Sequence, residues 1–312
     1  MFAILRYEAG QVFLLSSLQC PDDAEMDVPK NLPECVCFLC IKQGGRYVPK
    51  ATAFFVSVPA DLGAVAGAYV HLVTAKHCVE KAKRYDSLFV RLNMKSGPTQ
   101  YQEIETEWIY NDDDGSDVAV LPFTLPDDTE CQPIPVGMLA TDEIIAKKRI
   151  GVGDDVIVTG LFTKRSGNTK NIPILRAGMI SAMPGEHLTG EGGEEYKAYL
   201  IEMRSTGGLS GSPVFVVKNW FADPKNKTPN LGLQLFSQVF FLIAIIRGHW
   251  KEGDSADIAD DDERAESFNL GIATATPIQE CLRISNREDL VKQRKRSDLE
   301  WRKKHAPSSS GC

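Results

Sequence analysis

Apolar residues along the chain fall into short runs broken by turn signals, and the texture is that of an all-β protein. Cys37–Ile41 and Tyr47–Val58 flank the pair Gly44-Gly45 and predict a hairpin. Further strands are predicted at Ala68–Thr74, Leu88–Leu92, Glu105–Tyr110, Val118–Phe123, Asp155–Phe162, Ile172–Ser181, Tyr196–Met203, Pro213–Val217, Gln238–Arg247 and Asn269–Thr274. About a dozen strands at this spacing suit barrels or sandwiches rather than βαβ units. No repeat of fixed period is present. The polar, proline-punctuated stretch Leu125–Pro135 divides the strands into two halves.

Three segments stand apart from this pattern. Lys251–Ser267 is acidic and reads as a solvated loop; its spacing is not that of an EF-hand. Trp220–Asn230, polar with two prolines, reads as a second loop. At the C-terminus, Ser285-Asn-Arg-Glu288 resembles a capping box opening a helix, and residues 292–304 are strongly basic. The expected organisation is an N-terminal extension (1–32), a first β-unit (33–125), a linker (126–139), a second β-unit (140–284) and a C-terminal basic helix with a tail (285–312).

Composition narrows the function classes. Apolar residues make up 43% and charged residues 25%, the balance of a globular chain. The longest apolar run, Val239–Ile246, is eight residues, well short of the roughly twenty a spanning helix needs, so no membrane partner is expected. The N-terminal stretch has one basic residue, Arg6, followed by Glu8, and only a brief apolar core. It does not read as a signal peptide, and a cytoplasmic location is expected. The formal charge is −7, and outside the basic helix the chain is more acidic still. Such a body repels phosphate, so that helix reads as a solvated face rather than a nucleic-acid surface. Cys35, Cys37 and Cys40 form a C-x-C-x2-C cluster. It lacks the paired spacing of structural zinc and is flanked by strand formers, so no metal is expected.

Three local motifs carry the candidate chemistry. Leu72-Val-Thr-Ala-Lys-His77-Cys78 is a strand running into a histidine. Gly115-Ser-Asp117-Val-Ala-Val-Leu121 brings an aspartate into a buried strand. Thr206-Gly-Gly-Leu-Ser210-Gly-Ser-Pro213 sets a serine in a glycine-rich turn. A serine hydroxyl is a weak nucleophile until a base takes its proton, and a histidine titrates near neutrality. A buried carboxylate fixes the imidazole tautomer and stabilises the imidazolium. Amides in a tight turn stabilise the developing oxyanion, and Gly208 and Ser210 would supply them. Each motif alone is weak; the ordered set of three is specific.

That set, T-A-x-H-C, D-V-A-V-L and G-x-S-G-S-P, resembles the signature of chymotrypsin-fold, trypsin-like serine peptidases. Ala51-Thr-Ala-Phe-Phe-Val56 resembles their strand before the histidine. Gly153–Gly160 and Ala177–Ser181 resemble strands of the bacterial Deg-type members. Leu242–Gly248 and Asn269–Ala273 are similar to the strands lining the primary pocket. The resemblance covers about residues 33–284. It implies two six-stranded antiparallel β-barrels followed by a short C-terminal helix. The triad His77, Asp117 and Ser210 would lie in the cleft between the barrels. The implied activity is peptide-bond hydrolysis through an acyl-enzyme, with a protein or peptide substrate and no cofactor or metal.

Departures from the family pattern shape the expectation. Leu209 stands where digestive members carry an aspartate that receives a new N-terminal ammonium, so activation by N-terminal cleavage is not expected. Ala51–Phe55 offers no cysteine to bridge Cys78, which is therefore expected to be a free, buried thiol. Both features suit a non-secreted, bacterial Deg-type or generic member, and the residues after Thr274 leave no room for a PDZ domain. The pocket residues implied are Arg204 at its base with Gly248, His249 and Ala273 on its wall. Arg204 disfavours a Lys or Arg substrate and suits an acidic or small side chain. The competing expectation is a catalytically silent or partner-gated binding module on the same fold, with loop 251–267 as a lid.

Overall fold

The computed structural model describes residues 5–6, 32–63, 65–85, 87–113, 115–162, 165–190, 193–203, 208–220, 237–251 and 269–305. The first sheet contains β1 (Leu5–Arg6), β2 (Val36–Gln43), β3 (Arg46–Pro59), β4 (Gly67–Thr74), β5 (Leu88–Leu92), β6 (Gln100–Glu103), β7 (Ala119–Phe123) and β8 (Ile134–Pro135). Its order is β1-β4-β3-β2-β5-β6, with β7 also on β4 and β8 parallel to β3. A short helix, α1 (Lys76–Ala82), follows β4. Helix α2 (Asp142–Lys148) leads into a closed barrel of β9 (Asp155–Gly160), β10 (Ile174–Ala182), β13 (Tyr199–Glu202), β14 (Pro213–Trp220), β15 (Ser237–Lys251) and β16 (Asn269–Pro277). A small hairpin, β11 (Leu188–Thr189) with β12 (Glu195–Tyr196), stands outside it. Helices α3 (Gln279–Ser285) and α4 (Glu288–His305) end the described chain.

Strand β4 is buried along nearly its whole length because it lies between β3 and β7. Its seven consecutive buried residues match the apolar run that predicted it. Inside the first sheet the core gathers Leu39, Phe55, Leu72, Val90 and Leu121. Inside the closed barrel it gathers Val158, Ile201, Val216 and Ile243. A third cluster joins the two, with Phe54 and Val120 against Phe215, Leu242 and Ile278. Burial on this scale, at about 25 cal/mol per Å2 of apolar surface, fixes how the two units meet. The architecture is all-β with two curled sheets and a C-terminal helix. The second sheet is a closed barrel of six strands as expected; the first is an open, curled sheet of eight, with an isolated bridge from Ile109 to Val120 whose two hydrogen bonds are 2.8 and 3.0 Å.

That bridge corrects the predicted strand Glu105–Tyr110. The paired segment is β6, which ends at Glu103, and Glu105, Thr106 and Glu107 beyond it are exposed. The capping box is also revised. Ser285 ends α3, and its hydroxyl lies 3.3 Å from His71 Nδ1 in the interior. The three clustered cysteines face three different core regions. Cys35 lies in the joint between the sheets, Cys37 inside the first sheet, and Cys40 with Phe38, Phe89 and Leu161. Burial pushes all three thiols up, Cys40 to about 12. Among the described residues no helix is long and apolar enough to cross a membrane. Of the expected loops Trp220–Asn230 and Lys251–Ser267, Trp220 ends β14 and Lys251 ends β15; the rest of both loops and the tail after His305 lie outside the described residues.

Candidate active site

His77 sits in the first turn of α1, where the chain leaves β4 through the extended Ala75. Alanine has no side-chain acceptor for the open amides of a helix start. Asp117 supplies one from the entrance of β7: its Oδ1 accepts from the His77 backbone N–H at 2.8 Å. The same carboxylate reaches the ring, with Oδ2 2.8 Å from Nδ1. A carboxylate only accepts, so Nδ1 carries the proton and Nε2 faces away from Asp117. One side chain therefore starts the helix and orients the imidazole. Asp117 is 6% exposed, and its neighbour Ser116 is fixed by Asn111, which also donates to Glu280 of α3.

Two groups besides Asp117 act on the imidazole, a neighbouring thiol and the surrounding apolar burial. Cys78 Sγ lies 3.4 Å from Nε2, and Cys78 is half-buried rather than buried as expected. Burial pulls His77 toward its neutral form. The hydrogen bonds with Asp117 and Cys78 and their charges outweigh that pull, raising it from its ordinary 6.5 to about 10.

Ser210 lies in the turn before β14. Gly208 and Gly211 there have φ +98° and +84°, a conformation side chains resist. The turn is tied to its own barrel by Gly211 N–H to the Ile246 carbonyl (2.8 Å) and Ile246 N–H to the Ser212 carbonyl (2.9 Å). It is tied to the first sheet by Thr52. The Thr52 amide donates to the Ser210 carbonyl at 3.1 Å, and its hydroxyl donates to the Gly208 carbonyl at 3.0 Å. That hydroxyl also accepts from Leu161 N–H at 2.7 Å, while the Thr52 carbonyl accepts from Thr74 Oγ1 at 2.7 Å. A methyl at Gly211 would run into the Thr52 carbonyl and the Thr74 hydroxyl. Leu209, between the glycine and the serine, packs in the barrel core at 1% exposure.

The serine hydroxyl donates to the carbonyl of Arg247 at 3.2 Å. Of the expected pocket residues, Gly248 and His249 lie on β15 opposite Thr274 and Ala273 of β16, and Ala273 is buried. Arg204 lies outside the described residues. Two residues near the site, Thr52 and Arg247, are not among those the sequence motifs single out. Thr52 passes as an ordinary strand threonine. Arg247 does carry a signal, a guanidinium ending the buried run Phe240–Ile246.

No curated protein matches this chain. Among solved structures it is similar to Deg5 (18% identity, 81% of this chain and 88% of that one, TM-score 0.44). The HtrA-type protease AlgW with a decapeptide gives 14% identity, 86% and 66% coverage and a TM-score of 0.44. The Drosophila Grass clip serine protease of the Toll pathway gives 14%, 87% and 74%, and 0.46. The model of the trypsin-like peptidase domain matches residues 51–220, more than half of the chain and the stretch that contains His77, Asp117 and Ser210. The chain belongs to the trypsin-like peptidase domain family.

Proposed function

We propose that the protein is a serine endopeptidase acting through Ser210, His77 and Asp117. The observation that carries this reading is the double engagement of one buried carboxylate with the backbone and ring of His77, beside a serine turn that Thr52 fastens to the same sheet. Ser210 Oγ attacks the peptide carbonyl while His77 Nε2 takes its proton. The amides of Gly208 and Ser210 stabilise the oxyanion. The tetrahedral intermediate collapses as the imidazolium gives its proton to the leaving amine, leaving an acyl-Ser210 ester. Water, deprotonated by the same nitrogen, then hydrolyses the ester and restores the hydroxyl. A protein or peptide is the substrate, and no cofactor enters any step.

The resting contacts set a condition on this cycle. Ser210 Oγ donates to the Arg247 carbonyl and Nε2 contacts Cys78, so both contacts must be given up before proton transfer. This favours a second reading, a module on the same fold whose site opens only with a partner. A fluorophosphonate probe separates the two. Labelling of the wild type and its loss in Ser210→Ala support the peptidase. Absence of labelling in folded wild type supports the gated module.

The pocket reading rests on Arg204, with Gly248, His249 and Ala273 on the wall. An acidic or small residue before the scissile bond is proposed, because a guanidinium repels a cationic side chain in a desolvated pocket. A cleavage profile dominated by Lys or Arg at that position overturns it.

A further inference from the structure

Arg247 ends the buried apolar run of β15, and its guanidinium joins segments distant in sequence. Nη1 donates to the Gly115 carbonyl at 3.1 Å, two residues before Asp117. Nη2 pairs with Glu194 Oε1 at 2.9 Å, between β11 and β12. The guanidinium lies 3.8 Å over the Tyr196 ring of β12. Its own carbonyl accepts the Ser210 hydroxyl at 3.2 Å. The Gly115 loop and the hairpin also interlock without side chains, because the Glu195 carbonyl fills the space where a Cβ on Gly115 would stand.

We propose that Arg247 is a positioning residue that locks the Asp117 loop of the first sheet against the β11–β12 hairpin of the second unit and thereby sets His77 relative to Ser210. This rests on the peptidase reading of those three residues. A planar fork meets these demands. It makes two differently directed hydrogen bonds while its face lies on an aromatic ring, which a lysine ammonium does not reproduce. With both terminal nitrogens and one face engaged and its side chain 19% exposed, Arg247 serves the frame of the site rather than reading substrate charge. Asp117 is held on one side by Asn111 acting through Ser116 and on the other by Arg247 acting through Gly115. Loss of the second brace leaves the carboxylate present but less well aimed.

The test uses the full chain with Arg247→Ala, Arg247→Lys and Glu194→Gln, all shown to be folded by near-ultraviolet circular dichroism. In Arg247→Ala, kcat on a cleaved peptide falls on the order of 10- to 100-fold with KM nearly unchanged, since a displacement near 1 Å is enough for such a loss. Arg247→Lys restores little of it, and Glu194→Gln loses less than Arg247→Ala. The His77 Nδ1 proton, followed by NMR without turnover, moves upfield and broadens in Arg247→Ala. Unchanged kcat together with an unchanged Nδ1 resonance in folded Arg247→Ala overturns the proposal. If the wild type neither cleaves peptide nor labels with fluorophosphonate, the peptidase reading has failed, and the Nδ1 resonance alone still decides whether Arg247 sets the His77–Asp117 pair.

Discussion

Cys78 Sγ lies 3.4 Å from His77 Nε2, the ring nitrogen opposite the one held by Asp117. The thiol therefore contacts the ring nitrogen that would receive the Ser210 proton, and it is one of the groups that raise the imidazole. A general base must be neutral before attack, so activity grows as the imidazolium loses its proton. The acid limb of kcat/KM is expected well above pH 6.5, toward 10, and Cys78→Ala is expected to move that limb down. Activity at neutral pH then rises in the variant. A pH profile of both proteins checks this; coincident limbs contradict it.

Asp117→Asn tests the double engagement of the carboxylate. The amide is close in shape, but it loses the charge that favours imidazolium and no longer dictates which ring nitrogen carries the proton. The expected loss in kcat is on the order of 10^3- to 10^4-fold. The amide keeps one oxygen that can accept from the His77 backbone N–H, so the start of α1 is expected to hold and the unfolding free energy to change little. Peptide kinetics and urea unfolding check the two expectations separately.

Glycines with positive φ allow close approach to be separated from backbone strain. Gly45 (φ +75°) has nothing near the position of a Cβ, whereas Gly211 (φ +84°) has the Thr52 carbonyl and Thr74 hydroxyl there. Gly45→Ala is expected to cost about 1 kcal/mol by urea unfolding and to leave fluorophosphonate labelling intact. Gly211→Ala carries the same strain and must also push the Ser210 turn off Thr52. It is expected to destabilise further and to abolish labelling. Equal costs and equal labelling would show that the turn does not depend on its seat against Thr52.

Much of this arrangement is legible in the sequence alone. The hairpin around Gly44-Gly45 and the strand Leu88–Leu92 lie where the alternation and turn residues place them. His77 and Asp117 meet because strong strand signals, Ala68–Thr74 and Val118–Phe123, carry them to neighbouring ends of β4 and β7. What escapes a local reading is what long-range packing decides. The stretch Glu105–Tyr110 suits a strand, yet within it only Ile109 pairs, bridging to Val120. Helices α1, α2 and α3 are seven residues each, too short for periodicity to declare them. Ser285 has the spacing of a cap, but a buried histidine 214 residues away takes its hydroxyl. Thr52 and Arg247 act through partners more than 50 residues distant, which no local pattern records.

His71 provides the last prediction. It lies wholly buried on β4, with Nδ1 3.3 Å from Ser285 Oγ, where α4 packs against the strand. The groups around it are fixed as well. Tyr69 donates to Asp298 Oδ1 at 2.7 Å and to the Arg294 carbonyl at 3.0 Å, and Arg294 donates to the Ser285 carbonyl at 2.9 Å. Burial first, and then the charge of Arg294, lowers His71 from its ordinary 6.5 to about 4. The folded state therefore refuses a proton that the unfolded chain accepts below pH 6.5. Stability present above that pH is lost as pH falls from 6.5 toward 4, by about 3 kcal/mol for the whole interval. His71→Asn removes the titration while keeping a polar group of similar reach. The measurement is the slope of unfolding free energy against pH, not its absolute value. The wild type is expected to lose more stability than His71→Asn between pH 6.5 and 4. Parallel slopes would mean that the strand leading into His77 is not held to Ser285 of α3 through a neutral imidazole.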